Sequence, residues 1–423
     1  TKNFLSISFA IVVFIAYKCT CFSKNLYLWA KENNTMMNPD SQFDDIRCYN
    51  DAEIPLQFSK LVEDKQLLAI LPQILPNIPV SVLIEQLKKV QSVDQFQKGF
   101  ILPFLSDLET KTSKGVELIQ LDRVNPHRHH LFISNHRDIV LDSAFLNIHL
   151  LKNGYQTTEI AIGNNLLIYP WIEQLVRINK SFIVRRNASV REQIRISQEL
   201  SAYIRYVITT KPHSVWLAQR EGRAKDSDDR TQPALIKMLQ MSAEGEYVKG
   251  IMDLNIVPLS INYEYDPCDY LKAKEFQLKR DDECYKKSPA DDLLNMSTGI
   301  MGYKGRISYV FGTPLNDHPA LNLVSQLSSK EQSTYIAHLI DTEIHRNYNL
   351  YPCNYVAADL LSKQNLFTKH YSKEDEKDFI AYVQQRVNKI DISNKDEDFL
   401  TRKILEMYAN PVYNQREAIR IQQ

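Results

Sequence analysis

Beyond Lys114, short runs rich in β-branched and aromatic residues alternate with longer amphipathic runs, and this alternation constrains the fold more than any other feature. It is typical of α/β proteins, in which strands share a sheet and helices cover it. We therefore predict an α/β layer structure. The predicted strands are 116–121, 130–134, 158–162, 181–184, 214–218, 255–261 and 306–311. The predicted helices between them are 142–151, 166–178, 188–210 and 233–244.

The segments on either side of this layer are predicted to be helical. Between 55 and 104 the apolar residues recur at helical spacing, and prolines at 72, 76, 79 and 103 divide the pattern into short helices. After Pro319 helices are predicted at 329–346, 373–390 and 396–408. The stretch 265–302 is polar and irregular, which favours a surface insertion or lid. The expected division is a helical lead-in at 37–113, an α/β domain at 114–318 and a C-terminal helical region at 319–423.

Residues 1–36 contain an apolar run from 4 to 17. This run is shorter than the roughly 20 residues that a transmembrane helix needs. We consider three interpretations: a non-native start that precedes Met36 or Met37, a short apolar anchor, and a cleaved signal peptide. The six cysteines show neither paired metal-ligand spacing nor a dense disulfide pattern, which favours a reduced, cytoplasmic setting.

The charge balance argues against one class of function. Lys plus Arg and Asp plus Glu both total 51, so the formal net charge is zero. No bulk field then steers the protein toward nucleic acid, and we expect no nucleic-acid partner. Any anion-binding site must be a local cluster of cations.

The sharpest candidate for chemistry is His136 in the segment LFISNHRDIVLDSAFL, just after a predicted strand and before a helix. A histidine there can act as a general base if a carboxylate fixes its tautomer. Asp138 and Asp142 are both near. We favour Asp142, which would lie in the first turn of the helix, where the helix dipole favours negative charge. Alternatively, these carboxylates only cap the helix and His136 is a surface residue.

Two later segments place cations after predicted strands. In SFIVRRN, Arg185 and Arg186 suit bidentate binding of a phosphate, although they can equally be a solvated pair. SVWLAQREGRAKD contains a glycine turn that can bring backbone and cations close to an anion. Its candidate residues are Glu221, Gly222, Arg223 and Lys225.

A third segment, NIVPLSINYEY, is a hydrophobic strand that Pro258 interrupts. Proline removes one donor from the hydrogen-bond ladder. Pro258 therefore indicates a sheet edge, a bulge or a wall that faces a ligand.

In this order and at these spacings, the four segments resemble the glycerophospholipid acyltransferase family, which includes glycerol-3-phosphate and 1-acylglycerol-3-phosphate acyltransferases. The resemblance covers about residues 116–265 and implies a mixed central sheet flanked by helices. The matching residues are His136 in the first family motif, Phe182, Arg185 and Arg186 in the second, Glu221, Gly222 and Arg223 in the third, and Val257, Pro258 and Leu259 in the fourth.

The sequence departs from the family pattern at two places. Five residues separate His136 from Asp142, where the family has four, and Leu141 stands at the usual carboxylate position. We infer one inserted loop residue and keep Asp142 as the partner, with Asp138 as the alternative. In the third motif, Ala224 and Lys225 replace Ser and Arg, so the acceptor head group can differ from plain glycerol phosphate.

The resemblance implies direct acyl transfer from acyl-CoA or acyl carrier protein to a hydroxyl of glycerol 3-phosphate or a lysophospholipid, as in phospholipid biosynthesis. His136 and Asp142 would be catalytic, and backbone N–H groups at the helix start would stabilise the oxyanion. The remaining matched residues would bind substrate: Arg185, Arg186, Glu221, Gly222, Arg223, Lys225 and Pro258. We expect neither a metal nor another cofactor, and we interpret the cluster 127–130 (His-Arg-His-His) as an exposed basic turn.

The expected partners are an acyl thioester, a phosphate-bearing lipid precursor and a membrane surface, with peripheral attachment to the cytoplasmic face. Two other classes of function remain open. One is a catalytically degenerate lipid- or membrane-binding scaffold on the same fold, which the altered motifs suggest. The other is a hydrolase that uses His136 with Ser134 or Ser143, although neither serine lies in a Gly-x-Ser-x-Gly turn.

Overall fold

The computed structural model describes residues 39–74, 78–167, 169–186 and 189–421. The apolar run at 4–17 and both candidate starts, Met36 and Met37, lie outside these ranges. Within them, every helix is too short or too polar to cross a bilayer.

The described strands form one seven-stranded mixed sheet in the order β1-β7-β6-β2-β5-β3-β4. Strands β2 to β6 are parallel where they pair, and the antiparallel β6–β7 pair reverses the direction of β7 and of β1 beside it. The strands are β1 (Val116–Ile119), β2 (Leu131–Ser134), β3 (Glu159–Gly163), β4 (Ser181–Val184), β5 (Val215–Ala218), β6 (Ile256–Tyr263) and β7 (Ile307–Phe311). Each overlaps a predicted strand, and the predicted mixed sheet flanked by helices is confirmed.

Strand β2 lies in the middle of the sheet because its residues are apolar on both faces. Leu131 and Ile133 are buried in the core on one face, and Phe132 is buried in the core on the other, as the two-residue repeat of a strand requires. In the register, Ile133 lies between Leu217 of β5 and Pro258 of β6. The loop that carries His136 therefore leaves the centre of the sheet at its carboxyl edge.

Helices cover both faces of the sheet and extend from it at both ends of the chain. The lead-in helices are α1 (Ile54–Leu61), α2 (Lys65–Ile74), α3 (Val80–Lys88), α4 (Val93–Phe96) and, after a π-helical turn at Gln97–Ile101, α5 (Leu102–Thr112). The layer helices are α6 (Leu141–Lys152), α7 (Pro170–Ile178), α8 (Val190–Thr209), α9 (Pro233–Gln240) and α10 (Tyr247–Met252). Pro72 lies inside α2, so the prediction that it divides two helices is wrong.

The predicted irregular insertion at 265–302 is wrong, because it folds into α11 (Asp269–Asp281) and α12 (Pro289–Met301). The buried face of α11 includes Asp269, Lys272 and Glu275. These charges are paired, Asp269 with Arg386 and Lys272 with Asp266, so burial is possible without an apolar stripe. Hydrophobic periodicity could not reveal such a helix.

The C-terminal helices are α13 (Ser329–Arg346), α14 (Pro352–Ser362), α15 (Lys373–Asn388) and α16 (Glu397–Ile421). Helix α14 was not predicted, and α16 extends well beyond its predicted end at 408. It continues through Pro411 because Val412 and Ala418 are buried beyond it. Short 3₁₀ segments occur at Pro39–Phe43, Asp51–Glu53, Leu121–Arg123, Asn164–Leu166, Leu315–Asp317, Pro319–Gln326 and Thr368–His370.

Candidate active site

His136 and Asp142 form a hydrogen-bonded pair at the carboxyl end of β2. The Nδ1 atom of His136 lies 2.8 Å from Oδ2 of Asp142, and the carboxylate is fully buried beneath the imidazole. The same Oδ2 accepts hydrogen bonds from the backbone N–H groups of Arg137 (2.6 Å) and Asp138 (3.1 Å). These donors fix the carboxylate, and its bond to Nδ1 leaves Nε2 as the imidazole nitrogen able to accept a proton.

Asp138 is placed as a helix cap and not as a partner of His136. Its Oδ1 accepts from the N–H groups of Val140 (2.9 Å) and Leu141 (2.8 Å) at the start of α6. Burial, reinforced by the charge of Asp142, raises the pKa of Asp138. Two N–H groups of the loop and two at the start of α6 thus donate to carboxylates, so these four groups are not available to stabilise an oxyanion.

Two residues around the dyad hold the loop to the sheet. The Asn135 side chain donates to the carbonyl of Ile261 (2.8 Å) and accepts from its N–H (2.7 Å), which extends the β2–β6 ladder by one amide group. The Tyr309 hydroxyl donates to the backbone carbonyl of Asp142 (2.8 Å). The loop is therefore anchored on both sides of His136.

Neither serine of the hydrolase hypothesis is hydrogen-bonded to His136. Ser134 is fully buried, and its hydroxyl donates to the Asn135 carbonyl while accepting from the Trp216 indole. The Ser143 hydroxyl points to the carbonyl of Val140 at 3.4 Å. No nucleophile–base pair of the kind that a serine hydrolase needs is present in the described loop.

His136 opens onto a cleft of about 1200 Å³ that runs between the sheet and helices α5, α6, α7 and α8. Of the predicted site residues, seven line it: His136, Arg185, Arg186, Glu221, Gly222, Arg223 and Lys225. The cations come from the loops after β4 and β5, so they gather at the same carboxyl edge as His136. Between this charged end and the opposite end, the wall includes apolar side chains, among them Phe104, Val140, Ala144, Ile148, Ile160, Leu175 and Val176.

Arg185 and Arg186 line the cleft, and each forms an ion pair with an acidic residue. Arg185 lies 3.0 Å from Asp45, and Arg186 lies 3.3 Å from Glu221. Glu221, a candidate substrate-binding residue, is therefore ion-paired with Arg186. The Arg186 guanidinium also packs against Gly163, where an added Cβ would come within 2.8 Å of its Nε. A larger residue at this position would require the Arg186 side chain to move.

The loop after β5 is less open to an anion than its sequence indicated. Gly222 adopts a φ of +69°, which favours glycine. Lys225 forms an ion pair with Glu275 of α11, so its charge is already matched, and burial lowers the pKa of the amine. Arg223 donates to Asn295 of α12 at 3.2 Å. The two unexpected helices thus form the wall that holds these cations.

Pro258 does not line the cleft. It is buried in β6 between β2 and β7, and its carbonyl accepts from the N–H of Gly312 at 2.8 Å. In an antiparallel pair the N–H and the carbonyl of one residue point to the same neighbouring strand, so an N–H at position 258 would also face β7. Position 258 lies at the end of the β6–β7 pairing, and the proline therefore removes only a terminal hydrogen bond. The interpretation of Pro258 as an edge or ligand-facing wall finds no support in this position.

The described residues contain no group of three or more His, Cys, Asp or Glu side chains arranged to hold a metal ion. In the 127–130 cluster, His130 is buried and its Nε2 lies 3.1 Å from the carbonyl of Asn125. Burial lowers the pKa of His130. The His130 side chain is therefore packed in the interior and is not part of an exposed basic turn.

Comparisons with known proteins add a distant structural likeness. Neither a protein-family model nor a curated protein sequence matches the chain. The crystal structure of the 1-acyl-sn-glycerophosphate acyltransferase PlsC from Thermotoga maritima is similar over 68% of this chain and 91% of that chain. The TM-score is 0.33 and the sequence identity is 11%. At this distance the likeness carries no argument about substrate or mechanism.

Arg220 is a cleft residue that the sequence reasoning missed. It lines the charged end, its Nε is buried, and within the described part of the chain its guanidinium makes no hydrogen bond or ion pair. Of the neighbouring arginines, Arg185 and Arg186 form ion pairs with carboxylates. Arg223 donates to the neutral Asn295 amide, and its Nη1 is buried without a hydrogen-bond partner among the described residues. Arg220 directly precedes Glu221 in the sequence, so its place beside the third motif could have indicated it. It matches no residue of the family motif, and it was therefore not among the predicted site residues.

Arg137 is a second missed residue. Its guanidinium lies 3.0 Å from Asp229, and both side chains are buried behind the dyad. Burial raises the pKa of Asp229, and the charge of Arg137 opposes that shift. This ion pair connects the His136 loop to the segment after the third motif. Arg137 and Asp229 are far apart in the sequence, so only the tertiary structure shows that they are paired.

Proposed function

We propose that this protein is an O-acyltransferase that moves a fatty acyl group from a thioester donor to a hydroxyl of a phosphate-bearing acceptor. The observation that carries the proposal is the arrangement of one cleft. His136 faces the cleft, and its partner Asp142 is buried behind it. Arginines surround the charged end of the cleft, and apolar side chains line the walls beyond that end. A base, an anion site and an apolar channel are the three elements that such a transfer requires.

The Nε2 atom of His136 would take the proton from the acceptor hydroxyl as its oxygen attacks the thioester carbonyl. A tetrahedral intermediate forms, its carbon–sulfur bond breaks, and the thiolate leaves and takes up the proton from the imidazolium. Asp142 keeps the imidazole in the required tautomer and stabilises the transient cation. General base catalysis of this kind contributes roughly 10²–10⁴-fold to the rate.

The acceptor phosphate would bind among Arg185, Arg186, Arg220 and Arg223. Guanidinium groups suit this task because their planar donors match two phosphate oxygens at once. When the phosphate binds, Arg186 would exchange its ion pair with Glu221 for one with the phosphate, or Glu221 would bind a second hydroxyl of the acceptor. Gly222 lets the backbone turn toward the bound group.

The fatty acyl chain would lie along α5, α6 and α7, where Phe104, Ile148 and Leu175 face the cleft. Burying apolar surface there gains roughly 25 cal/mol per Å². The proposed acceptors are glycerol 3-phosphate and lysophospholipids, and the proposed donors are acyl-CoA and acyl carrier protein, as in phospholipid biosynthesis. Such substrates fit an enzyme attached peripherally to the cytoplasmic face of a membrane.

The test is an assay of the purified protein with labelled acyl donors against a panel of phosphate-bearing acceptors. His136→Ala serves as the blank and should abolish transfer while leaving lipid binding intact. If the unmutated protein binds lipid but transfers no acyl group from any donor, the protein is a scaffold on this fold. The ion pair between Lys225 and Glu275, which occupies a cation of the third motif, is the observation that favours that alternative.

A further inference from the structure

The end of the cleft away from His136 is polar, although the walls leading to it are apolar. Four of its residues are almost completely buried: Gln97, Asn147, Thr157 and Ser181 are only 6%, 7%, 5% and 5% exposed. All four line the cleft together with Asn179. We call these five residues the polar floor.

The polar floor lies at the opposite edge of the sheet from the arginines. Ser181 is the first residue of β4, and Arg185 follows its last residue. At about 3.3 Å per residue, the two positions are about 13 Å apart along the strand. A ligand anchored at His136 must therefore extend past the apolar wall before it reaches the floor.

Hydrogen bonds within the protein use the three side-chain amide oxygens of the floor, those of Gln97, Asn147 and Asn179. The Thr157 hydroxyl donates to Oε1 of Gln97 (2.8 Å), whose Nε2 donates to Oδ1 of Asn179 (3.0 Å). Oδ1 of Asn147 accepts from the backbone N–H (2.7 Å) and the hydroxyl (3.0 Å) of Thr158. Because a backbone donor fixes it, the orientation of the Asn147 amide is determined.

Some donor groups of the floor have no acceptor among the residues that the structure describes. Within the described ranges, the Nδ2 amide group of Asn147 and the hydroxyl of Ser181 make no hydrogen bond to the protein. Burying a donor without an acceptor is costly, and a hydrocarbon chain that displaced water from these groups could not replace the lost hydrogen bonds. A chain that carries an oxygen atom at this depth could.

We propose that the polar floor is a subsite for an oxygen substituent on the distal half of the acyl chain, so that the cleft selects hydroxyacyl or oxoacyl groups over plain ones. The proposal rests on the proposed function, because the acyl chain is taken to occupy this cleft. The hydroxyl or keto oxygen accepts from Asn147 and Ser181. The apolar wall covers the methylene groups between it and the carbonyl carbon.

The direct experiment is displacement of a fluorescent fatty acid from the full chain by octadecanoic acid and by a mid-chain hydroxyoctadecanoic acid. We expect the hydroxy acid to bind about tenfold more tightly, as one net hydrogen bond allows. Ser181→Ala and Asn147→Leu should each reduce this ratio toward one. The matched control is Asn153→Leu, at the exposed residue that follows the same helix, which should leave the ratio unchanged.

Equal affinity of the two acids for the unmutated protein, or a ratio that neither variant changes, would overturn the subsite. Asn147→Leu also removes the acceptor of the Thr158 N–H and can destabilise the fold. Ser181→Ala removes only a hydroxyl that has no hydrogen-bond partner among the described residues, so it keeps the test decisive. Binding preference without acyl transfer would contradict the proposed function alone, and transfer without preference would contradict only the subsite.

Discussion

The Nδ1 atom of His136 lies 2.8 Å from Oδ2 of Asp142, six residues later in the chain and on the first turn of α6. The pair requires the loop between β2 and α6 to fold back on itself. Two backbone N–H groups of that loop bind the same carboxylate oxygen, so the loop and the dyad stabilise one another.

The first prediction separates the two candidate carboxylates. Asp142→Asn should lower kcat by roughly 10²–10⁴-fold, because an amide cannot stabilise the imidazolium and favours the wrong tautomer. Steady-state kinetics with a labelled acyl donor measure the loss. Asp138→Asn is the matched control: its amide oxygen can still cap α6, so kcat should change little. A large loss only in Asp138→Asn would show that the dyad assignment is wrong.

The second prediction concerns Arg220. Because its guanidinium makes no hydrogen bond or ion pair with the described residues, Arg220→Gln should raise the KM for the phosphate-bearing acceptor by about 10- to 100-fold with little change in kcat. Arg128→Gln removes an exposed arginine outside the cleft and should leave KM unaltered. An unchanged KM in Arg220→Gln would exclude this residue from acceptor binding.

The third prediction concerns the pair of Lys225 and Glu275. Removing the carboxylate should free the lysine for an anion, so Glu275→Gln should lower the acceptor KM by up to about fivefold, the range of a partly exposed ion pair. The comparison variant is Glu283→Gln, which removes an exposed carboxylate in the loop between α11 and α12. If KM rises in Glu275→Gln, the carboxylate positions Lys225 for the acceptor and does not compete for it.

The fourth prediction concerns stability in acid. Glu159 is fully buried at the start of β3; burial alone would raise its pKa, but the hydrogen bond from His213 and the charge of Lys211 outweigh it and lower the pKa to about 2. The folded-state pKa is thus below the unfolded value of 4.5. The carboxylate therefore stabilises the fold above pH 4.5, by on the order of 3 kcal/mol, and this contribution disappears as the pH falls toward 2.

Urea unfolding followed by circular dichroism across this pH range checks the fourth prediction. Glu159→Gln should be less stable at pH 7, since it leaves the buried Lys211 charge unpaired, and its stability should depend less on pH between 4.5 and 2. Glu244→Gln, at an exposed position, is expected to match the unmutated protein. If the free energy of unfolding falls equally in Glu159→Gln and in the unmutated protein between pH 4.5 and 2, groups other than Glu159 cause the acid dependence.

The sequence alone determined the strands and the edge of the sheet at which chemistry can occur. Leu131, Phe132 and Ile133 predict a buried strand because their pattern is local, and the residues after parallel strands meet at one edge wherever the helices pack. This local information was enough to bring His136, Arg185 and Arg223 together. The choice of Asp142 also followed from local geometry, namely its position in the first turn of α6.

Tertiary structure alone decided which charges are free. Lys225 and Arg220 are both cations of one loop, five residues apart in the sequence. Glu275 of α11 pairs with Lys225, whereas Arg220 makes no hydrogen bond or ion pair in the part of the chain that the structure describes. Helix α11 was itself hidden, because its buried face is charged and pairs with distant segments. The polar floor has the same origin, since Gln97, Asn147 and Ser181 come from three separate elements. Contacts between distant segments leave no periodic trace in the sequence, so the partners of these groups had to be seen in the fold.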